Sequence, residues 1–263
     1  MSVERLLHRL STVDVAALPK QDGVVVQPIG AIEQHGPHLP VMTDAFVAER
    51  IAAGAVGRLP DEAPVWVLPT LHYGKSSEHL GRAGTVSLST RTLLSVCEDV
   101  GRSVAASGFR RLVFVNGHGG NPSTLDTVAR DIRVETGLMV FPVTTGRLGV
   151  PDDLDVPDAE FSIHGGHVET SLMLALDPGT VRMDRAAEGG RAVVDLYRDK
   201  RHLTLEGVVP SAWVTDDLSA NGVVGDPVKA TEEFGHRIRE AYETRLAEAL
   251  LEIVGFEFPG AGR

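Results

Sequence analysis

Residues 23–30 read Gly-Val-Val-Val-Gln-Pro-Ile-Gly, a run of β-branched and apolar residues that ends in glycine. A strand with one face in water alternates apolar and polar side chains, and this run has no such alternation. Unbroken β-branched runs are typical of strands that are covered on both faces. The stretch therefore predicts a buried strand in a parallel sheet with helices on either side.

Three further runs share this character, at residues 65–68, 111–116 and 138–143. Helical periodicity lies between and after them, over residues 46–56, 91–106, 125–134 and 230–253. Strands that alternate with helices predict an α/β fold, here a three-layer α/β/α sandwich with a mainly parallel central sheet. No repeat or linker interrupts the pattern, so residues 1–263 are predicted to form a single domain.

Two stretches do not follow this alternation. Residues 152–160 carry five acidic residues and are predicted to form an exposed loop. Residues 185–225 carry mixed signals from which no element can be assigned.

The composition limits the classes of protein to which the chain can belong. The chain has 36 acidic and 25 basic residues, a net charge of −11 that argues against nucleic acid or a membrane as a partner. No apolar run reaches the roughly 18 residues of a membrane-spanning helix. The first ten residues contain charges where a signal peptide has an apolar core. With a single cysteine, the sequence predicts a cytoplasmic protein without a disulfide framework.

The first polar loop follows the run at residues 23–30. It contains Glu33 and His35, and Asp44 stands where the next helix begins. If the chain is still extended at Glu33, the side chains of Glu33 and His35 point to the same side. Glu, His and Asp are suitable ligands for Zn²⁺ or Mn²⁺. The alternative is that Asp44 is a helix N-cap and His35 an ordinary loop residue.

Two further loops carry histidines beside glycines. The segment Asn-Gly-His-Gly-Gly-Asn places His118 directly after a buried strand. The segment Ser-Ile-His-Gly-Gly-His-Val-Glu-Thr-Ser places His164, His167 and Glu169 at the start of an apolar helix. Glycine lets the backbone approach a ligand closely. The alternatives are a plain turn with Asn121 as a helix cap, and an acid at Glu169 that the helix dipole favours.

A fourth loop, His-Tyr-Gly-Lys-Ser-Ser-Glu-His over residues 72–79, also follows a strand. It combines an aromatic ring, a base, an acid and two histidines. We expect Tyr73, Glu78 and His79 to bind substrate, and the alternative is a solvated loop.

In open α/β sheets, ligands bind at the carboxyl ends of the strands, where these loops meet. The predicted metal ligands are Glu33, His35, Asp44, His118 and Glu169. Five ligands are too few for two separate closed sites, but they suffice for two ions about 3.5–4 Å apart if one carboxylate bridges them. Asp44 is the predicted bridge.

Motifs of other enzyme classes are missing from the sequence. It contains no GxSxG elbow of a serine hydrolase and no HExxH of a zinc protease. Cys97 lies in the apolar stripe of a helix and is predicted to be a core residue, as is Trp66. Trp213 is either a core residue or part of a pocket wall.

The loops resemble the signature blocks of the creatininase (creatinine amidohydrolase) family. The blocks are Gly-Ala-Ile-Glu-Gln-His-Gly-Pro-His-Leu-Pro from Gly30 with Thr43-Asp44, Tyr73-Gly74 with Glu78-His79, residues 116–121, residues 164–171 and residues 222–231. They occur in the family order over most of the chain.

This resemblance implies an α/β/α sandwich with two divalent ions per chain (Zn, Mn or Fe) that hydrolyses amide or other C–N bonds. It implies that Glu33, Asp44 and His118 hold one ion and that His35 and Asp44 hold the other. His164 matches a histidine that shuttles a proton, and His164 and Glu169 are the predicted catalytic residues. Family members often form homo-oligomers, including hexamers.

Two positions depart from creatininase itself. The ligand glutamate two residues after the histidine of the Asn-Gly-His block is Gly120 here, and Glu169 is predicted to supply the missing carboxylate. The tryptophan before the His-Gly-Gly block is also missing. Creatinine is therefore in doubt as the substrate. The family also includes a formamide hydrolase of flavin and deazaflavin synthesis and a peptidase that trims the mycofactocin precursor, which residues 166–170 resemble in part.

The predicted function is a metal-dependent amidohydrolase that cleaves a C–N bond of a small amide or short peptide with a metal-activated water. The alternatives are a peptidase for a small peptide precursor, a formamide hydrolase, a non-catalytic metal or small-molecule binding protein, and an isomerase or lyase that enolises a sugar.

Overall fold

The structure is a computed structural model that describes residues 3–159 and 161–259. Residues 1–2 and 260–263 of the predicted domain, and Glu160 of the predicted acidic loop, lie outside the described residues. No helix in the described ranges is long and apolar enough to cross a membrane.

Four parallel strands form the central sheet, as the apolar runs predict. They are β1 (Val24–Ile29), β2 (Val65–Val67), β3 (Arg111–Asn116) and β4 (Met139–Thr144), in the order β2-β1-β3-β4. A separate pair, β5 (Leu203–Thr204) and β6 (Val209–Pro210), lies in the region that carries mixed sequence signals.

The helices account for the periodic stretches and add shorter elements. They are α1 (Thr12–Ala17), α2 (Thr43–Gly57), α3 (Thr90–Ala106), α4 (Pro122–Thr136), α5 (His167–Leu176), α6 (Ala192–Arg198), α7 (Thr215–Leu218) and α8 (Glu232–Gly255). Short 3₁₀ helices span Leu7–Arg9, Ser77–His79, Thr145–Leu148, Pro178–Thr180 and Met183–Arg185.

The two faces of the sheet carry two separate apolar cores. Val24 and Val26 pack with α2, α5 and α8, whereas Val25 and Ile29 pack with α3 and α4 on the opposite face. The register continues this division across the sheet, because Val25 lies opposite both Trp66 and Leu112. Successive side chains of a strand point to opposite faces, so a strand between two helical layers needs apolar residues at every position. The predicted α/β/α sandwich is confirmed.

Cys97 and Trp66 both lie in the core on the α3 and α4 face, as predicted. Burial raises the pKa of the Cys97 thiol to about 12. The thiol therefore stays protonated and is a poor nucleophile.

The acidic loop is only partly exposed, as Asp158 shows. The Asp158 side chain is buried, and its Oδ2 accepts hydrogen bonds from the backbone N–H groups of His167 (2.9 Å) and Asp226 (2.7 Å). The prediction of an exposed loop is wrong for this residue, because its carboxylate pairs a buried backbone donor, that of His167, and a partly buried one, that of Asp226.

Candidate metal centre

The first turn of α2 packs against the carboxyl ends of β1 and β3. Two glycines allow this contact. A Cβ atom at Gly30 would overlap the Ala45 backbone, and one at Gly117 would overlap the carbonyl oxygen of Asp44. The close approach carries the Asp44 side chain into the space between the loops that follow the two strands. Asp44 is not the N-cap of α2, since the helix begins at Thr43 and Met42 occupies the cap position.

Each carboxylate oxygen of Asp44 faces a different histidine. Oδ1 lies 3.0 Å from Nε2 of His35, and Oδ2 lies 2.9 Å from Nδ1 of His118. All three side chains are buried, with exposed fractions of 3% or less. The Asp44 carboxylate therefore lies between the two histidines, and its role as a metal bridge stays a prediction.

The backbone sets the tautomer of both histidines. Nδ1 of His35 donates to the carbonyl oxygen of Glu33 (3.1 Å), and Nε2 of His118 donates to the carbonyl oxygen of Lys75 (2.9 Å). A carbonyl oxygen can only accept, so each neutral ring carries its lone pair on the nitrogen that faces Asp44. Metal-binding histidines are commonly oriented by the same kind of outer hydrogen bond.

A neutral histidine cannot form a hydrogen bond to a carboxylate through the nitrogen that carries its lone pair, because neither atom then has a hydrogen to donate. Nδ1 of His118 and Oδ2 of Asp44 are both buried and lack a hydrogen-bond partner among the described residues. Burial lowers the pKa of His35, but the charge of Asp44 outweighs it and raises this pKa to about 10. The same balance, with Glu33 and Asp44 opposing burial, raises the pKa of His118 well above its usual range. The cluster thus attracts positive charge, which a proton or a divalent cation supplies.

Glu33 joins the cluster from the loop after β1. Its Oε2 lies 3.2 Å from Nδ1 of His118 and accepts a short hydrogen bond from Oγ of Ser76. Its Oε1 lies 3.4 Å from Nε2 of His79 and 3.7 Å from Nδ1 of His164. Ligands of one Zn²⁺ ion with bonds of about 2.0–2.2 Å lie roughly 3.3 Å apart, so these spacings fit a shared cation.

Glu169 approaches the cluster from the first turn of α5. Ligand atoms of His35, His164 and Glu169 lie within 4.8 Å of one another. Oε2 of Glu169 also accepts a hydrogen bond from the backbone N–H of Gly165 (2.6 Å), which is the role of a first-turn acid. Burial raises the pKa of Glu169 to about 7, although the charge of His35 opposes the shift.

His164 presents its free nitrogen to the cavity. Its Nε2 donates to the carbonyl oxygen of Gln34 (2.6 Å), so a neutral ring carries its lone pair on Nδ1. Burial and the positive charge of His35 lower the pKa of His164 to about 3. The ring is therefore held neutral, with its lone pair on Nδ1.

A cavity of about 330 Å³ opens onto the cluster. Its lining residues include Glu33, Asp44, His118, His164 and Glu169, together with Lys75, Glu78, His79, Glu206 and Trp213. The structure therefore brings four of the predicted ligands and two of the predicted substrate-binding residues, Glu78 and His79, to one cavity. His35, the fifth ligand, lies directly behind Asp44.

Tyr73 is placed differently from the prediction. Its side chain is 49% exposed and lies outside the set of described residues that line the cavity. The chain turns inward only at Gly74, where a Cβ atom would overlap the carbonyl oxygen of Gly30. A substrate-binding role for Tyr73 has no support in this geometry.

Glu78 occupies the space that a side chain at position 120 would fill. A Cβ atom at Gly120 would overlap Oε1 of Glu78. Glu78 is held there by Lys75, whose Nζ lies 2.7 Å from Oε2. Burial by itself would raise the pKa of the Glu78 carboxyl, but the hydrogen bond from Lys75 opposes this and the pKa is lowered. An acid from the loop after β2 therefore occupies the space beside Gly120.

Sequence reasoning missed three contributors to the site. Gln34 lies next to Glu33, and Ser76 lies in the same loop as His79. Their polar side chains within these two predicted site loops are the feature that could have identified them. Glu206 comes from the region without an assignment. Trp213, which was left open, lies in the cavity wall with its ring centroid 6.3 Å from that of His79.

Comparison with known proteins agrees with this site. The creatininase family model, described as creatinine amidohydrolase, matches residues 8–250. The mycofactocin precursor peptide peptidase of Mycobacterium tuberculosis is 36% identical over 239 residues, which cover 89% of this chain and 86% of that protein. The creatinine amidohydrolase of Pseudomonas putida is 31% identical over 258 residues, which cover 90% of this chain and 91% of that protein.

Solved structures lead to the same family. A manganese form of creatininase and a mutant creatininase of Zn–Zn type each have a TM-score of 0.77 and 26% sequence identity to this chain. Each alignment covers 97% of this chain and 100% of the solved chain. The sheet order, the clustered ligands and these matches together show that the chain belongs to the creatininase (creatinine amidohydrolase) family of hydrolases.

Proposed function

We propose that the chain is a hydrolase that uses two metal ions to cleave a C–N bond in a small amide or short peptide. The observation that carries the proposal is the placement of Asp44 between His35 and His118, with one carboxylate oxygen toward each ring. A single buried carboxylate in this position can serve two cations at once.

The ligands divide into two sets that share Asp44. Glu33, Asp44 and His118 would hold one ion, and His35, Asp44 and Glu169 would hold the other. The mixed carboxylate and imidazole set suits Zn, Mn or Fe. The Zn and Mn forms among the similar creatininase structures support this choice. When bound, such a pair of ions lowers the pKa of a shared water toward about 7 and polarises the substrate carbonyl.

His164 would carry the proton during hydrolysis. The reaction adds the hydroxyl group of water to the carbonyl carbon and a hydrogen to the leaving nitrogen, so one proton must move between the two. His164 lines the cavity, and Nε2 is held by the carbonyl oxygen of Gln34, so Nδ1 carries the lone pair of the neutral ring. In the proposed reaction His164 would hold the proton at Nδ1 only transiently and pass it on from the same atom, because the low pKa of the ring makes its protonated form a strong acid.

Glu78 and His79 would orient the substrate beside the cluster, since Nε2 of His79 lies 3.4 Å from Oε1 of Glu33 and Oε1 of Glu78 lies 3.6 Å from Nε2 of His118. Glu78 is fixed by Lys75, and Nδ1 of His79 lies 3.0 Å from the side-chain Nε2 of Gln34 and 2.7 Å from Oγ1 of Thr215. Rigid polar groups of this kind reduce the entropy lost when a substrate is positioned.

A peptidase is the second candidate, and the M. tuberculosis relative favours it. Its name specifies a precursor peptide as substrate, and its identity to this chain is 36%. Assembly into homo-oligomers stays a prediction from the family resemblance.

The test is the metal content of the protein, purified without a chelator or a His-tag and measured by plasma mass spectrometry. We expect about two equivalents of Zn, Mn or Fe per chain, and less than one in Asp44→Ala. Asp131→Ala, which removes an exposed carboxylate on α4, is the matched control and should keep both equivalents.

Activity is then screened with formamides, cyclic amides and short peptides. Two bound ions with no turnover of any amide would favour a non-catalytic metal-binding protein. A protein that takes up no metal, or an Asp44→Ala variant that retains full metal and activity, would contradict the proposal.

A further inference from the structure

A second cavity adjoins the candidate metal centre. Its volume is about 340 Å³, and it shares Ile163, His164 and Glu169 with the first cavity. Residues between β4 and α5, together with α5 and α8, enclose it. The two cavities therefore adjoin each other at residues that would hold and protonate the reacting group.

The two cavities differ in chemistry. Lys75, Glu78 and Glu206 give the first cavity a charged wall. The described residues that line the second cavity away from His164 and Glu169 are mainly small or aliphatic, and they include Val150, Val156 and Val168. A wall of this composition binds apolar groups, because burying their surface is favourable.

Tyr242 adds one polar group to this apolar cavity. The residue is only 3% exposed and lines the cavity. Burial, with the nearby charge of Glu169, raises the pKa of Tyr242 to about 12, so the hydroxyl remains a donor. A single polar group in an apolar wall can orient a ligand by a hydrogen bond to one of its polar atoms.

We propose that the second cavity is a specificity subsite for an aliphatic side chain next to the scissile amide. The hydroxyl of Tyr242 donates to a carbonyl oxygen of the same substrate. The substrate class is then a short peptide or acylated amide with an apolar residue on one side of the scissile bond and a polar group on the other. This inference rests on the proposed function, because it takes a bond held beside His164 and Glu169, where the two cavities meet, to be the one that is cleaved.

The test measures binding, so that it does not depend on turnover. Metal-loaded protein is titrated calorimetrically with N-acetyl-leucine amide and with N-acetyl-glycine amide. We expect the leucine probe to bind about 10-fold more tightly or better, the scale of discrimination that an apolar pocket provides. Equal affinities for the two probes would overturn the inference.

Val156→Trp tests the location of the subsite, because the larger side chain fills the cavity from a surface segment. We expect it to abolish the preference for leucine and to leave the affinity for the glycine probe within about 3-fold. Val134→Trp, which changes an 88% exposed valine on α4, is the matched control and should keep the preference. An unchanged preference in Val156→Trp would place the apolar site elsewhere and refute the proposal.

Tyr242→Phe removes only the hydroxyl. We expect the affinity for both probes to fall about 3- to 10-fold, because one hydrogen bond is lost, while the melting temperature stays the same or rises. A fall in melting temperature with unchanged affinity would show a structural hydroxyl and would contradict its role as a donor to substrate.

Hydrolysis is measured separately on the same proteins. Probe binding that responds to Val156→Trp without any hydrolysis would support the subsite and count against the proposed function. Hydrolysis of amides with no preference for apolar residues would support the function and overturn the subsite.

Discussion

The metal cluster and the cavity wall opposite it are built in different ways. The cluster residues Glu33, His35 and His118 stand on loops that leave buried strands, and backbone carbonyls orient both histidines. The wall around Glu206 and Trp213 belongs to a segment of two-residue strands and short helices with many exposed residues.

This difference indicates that the cluster supports the chemistry and that the wall supports the choice of substrate. Ligand positions must be accurate to a few tenths of an ångström, so they depend on the rigid sheet and on outer hydrogen bonds. A substrate wall tolerates variation, because its contribution is contact area and shape. Relatives named for a peptide and for creatinine are consistent with one cluster beside different walls.

Removal of the metal should produce the largest of the predicted effects, because it acts on the cluster and not on the wall. Ligands that bind only the folded state stabilise it by about 4 kcal/mol when present at 1,000 times their Kd. We expect chelation to lower the unfolding free energy by about this amount, measured by urea denaturation with and without added metal. Asp44→Ala should show no dependence on chelator, and an equal response in both proteins would mean that the stabilising ion binds elsewhere.

Gly117→Ala should disturb the cluster through the backbone that positions Asp44. The added Cβ overlaps the carbonyl oxygen of Asp44, so the first turn of α2 must shift, at a cost of about 2–3 kcal/mol in unfolding free energy. Gly119→Ala is the matched control in the same loop, because a Cβ atom there meets nothing within 4 Å. Equal stability of the two variants would contradict the close contact between β3 and α2.

Trp213→Ala should affect the wall alone. We expect kcat/KM on a confirmed substrate to fall about 10-fold, equivalent to about 1.4 kcal/mol, while the metal content stays at the wild-type level. Metal analysis and steady-state kinetics on the same preparation check both parts. Loss of metal in this variant would show that the wall supports the cluster and would remove the distinction between the two regions.

Much of the scaffold could be predicted because its signals are local and repeated. The apolar runs at β1 and β3 extend over six residues each, and α3 and α4 carry clear periodicity. The region at 185–225 could not be assigned, because helices of four to seven residues and strands of two have too few turns or alternations to produce a pattern.

The candidate ligands could be predicted from residue type and from their place after buried strands. Glu33, His35, Asp44, His118 and Glu169 do come together, and their roles as ligands stay a prediction. Tyr73 is not among the described residues that line the cavity, and its role in substrate binding stays a prediction, because residue type alone does not show which way a loop side chain points.

The sequence alone determined the parallel sheet between two helical layers, the end of the sheet that carries the candidate site, and the chemical types of the candidate ligands. Burial preference and chain periodicity are properties of neighbouring residues, so they can be read along the chain. The tertiary structure decided which nitrogen of each histidine faces Asp44, that Glu78 fills the space beside Gly120, and that a second cavity adjoins Glu169. These features depend on contacts between segments far apart in the chain, which only the folded backbone brings within reach.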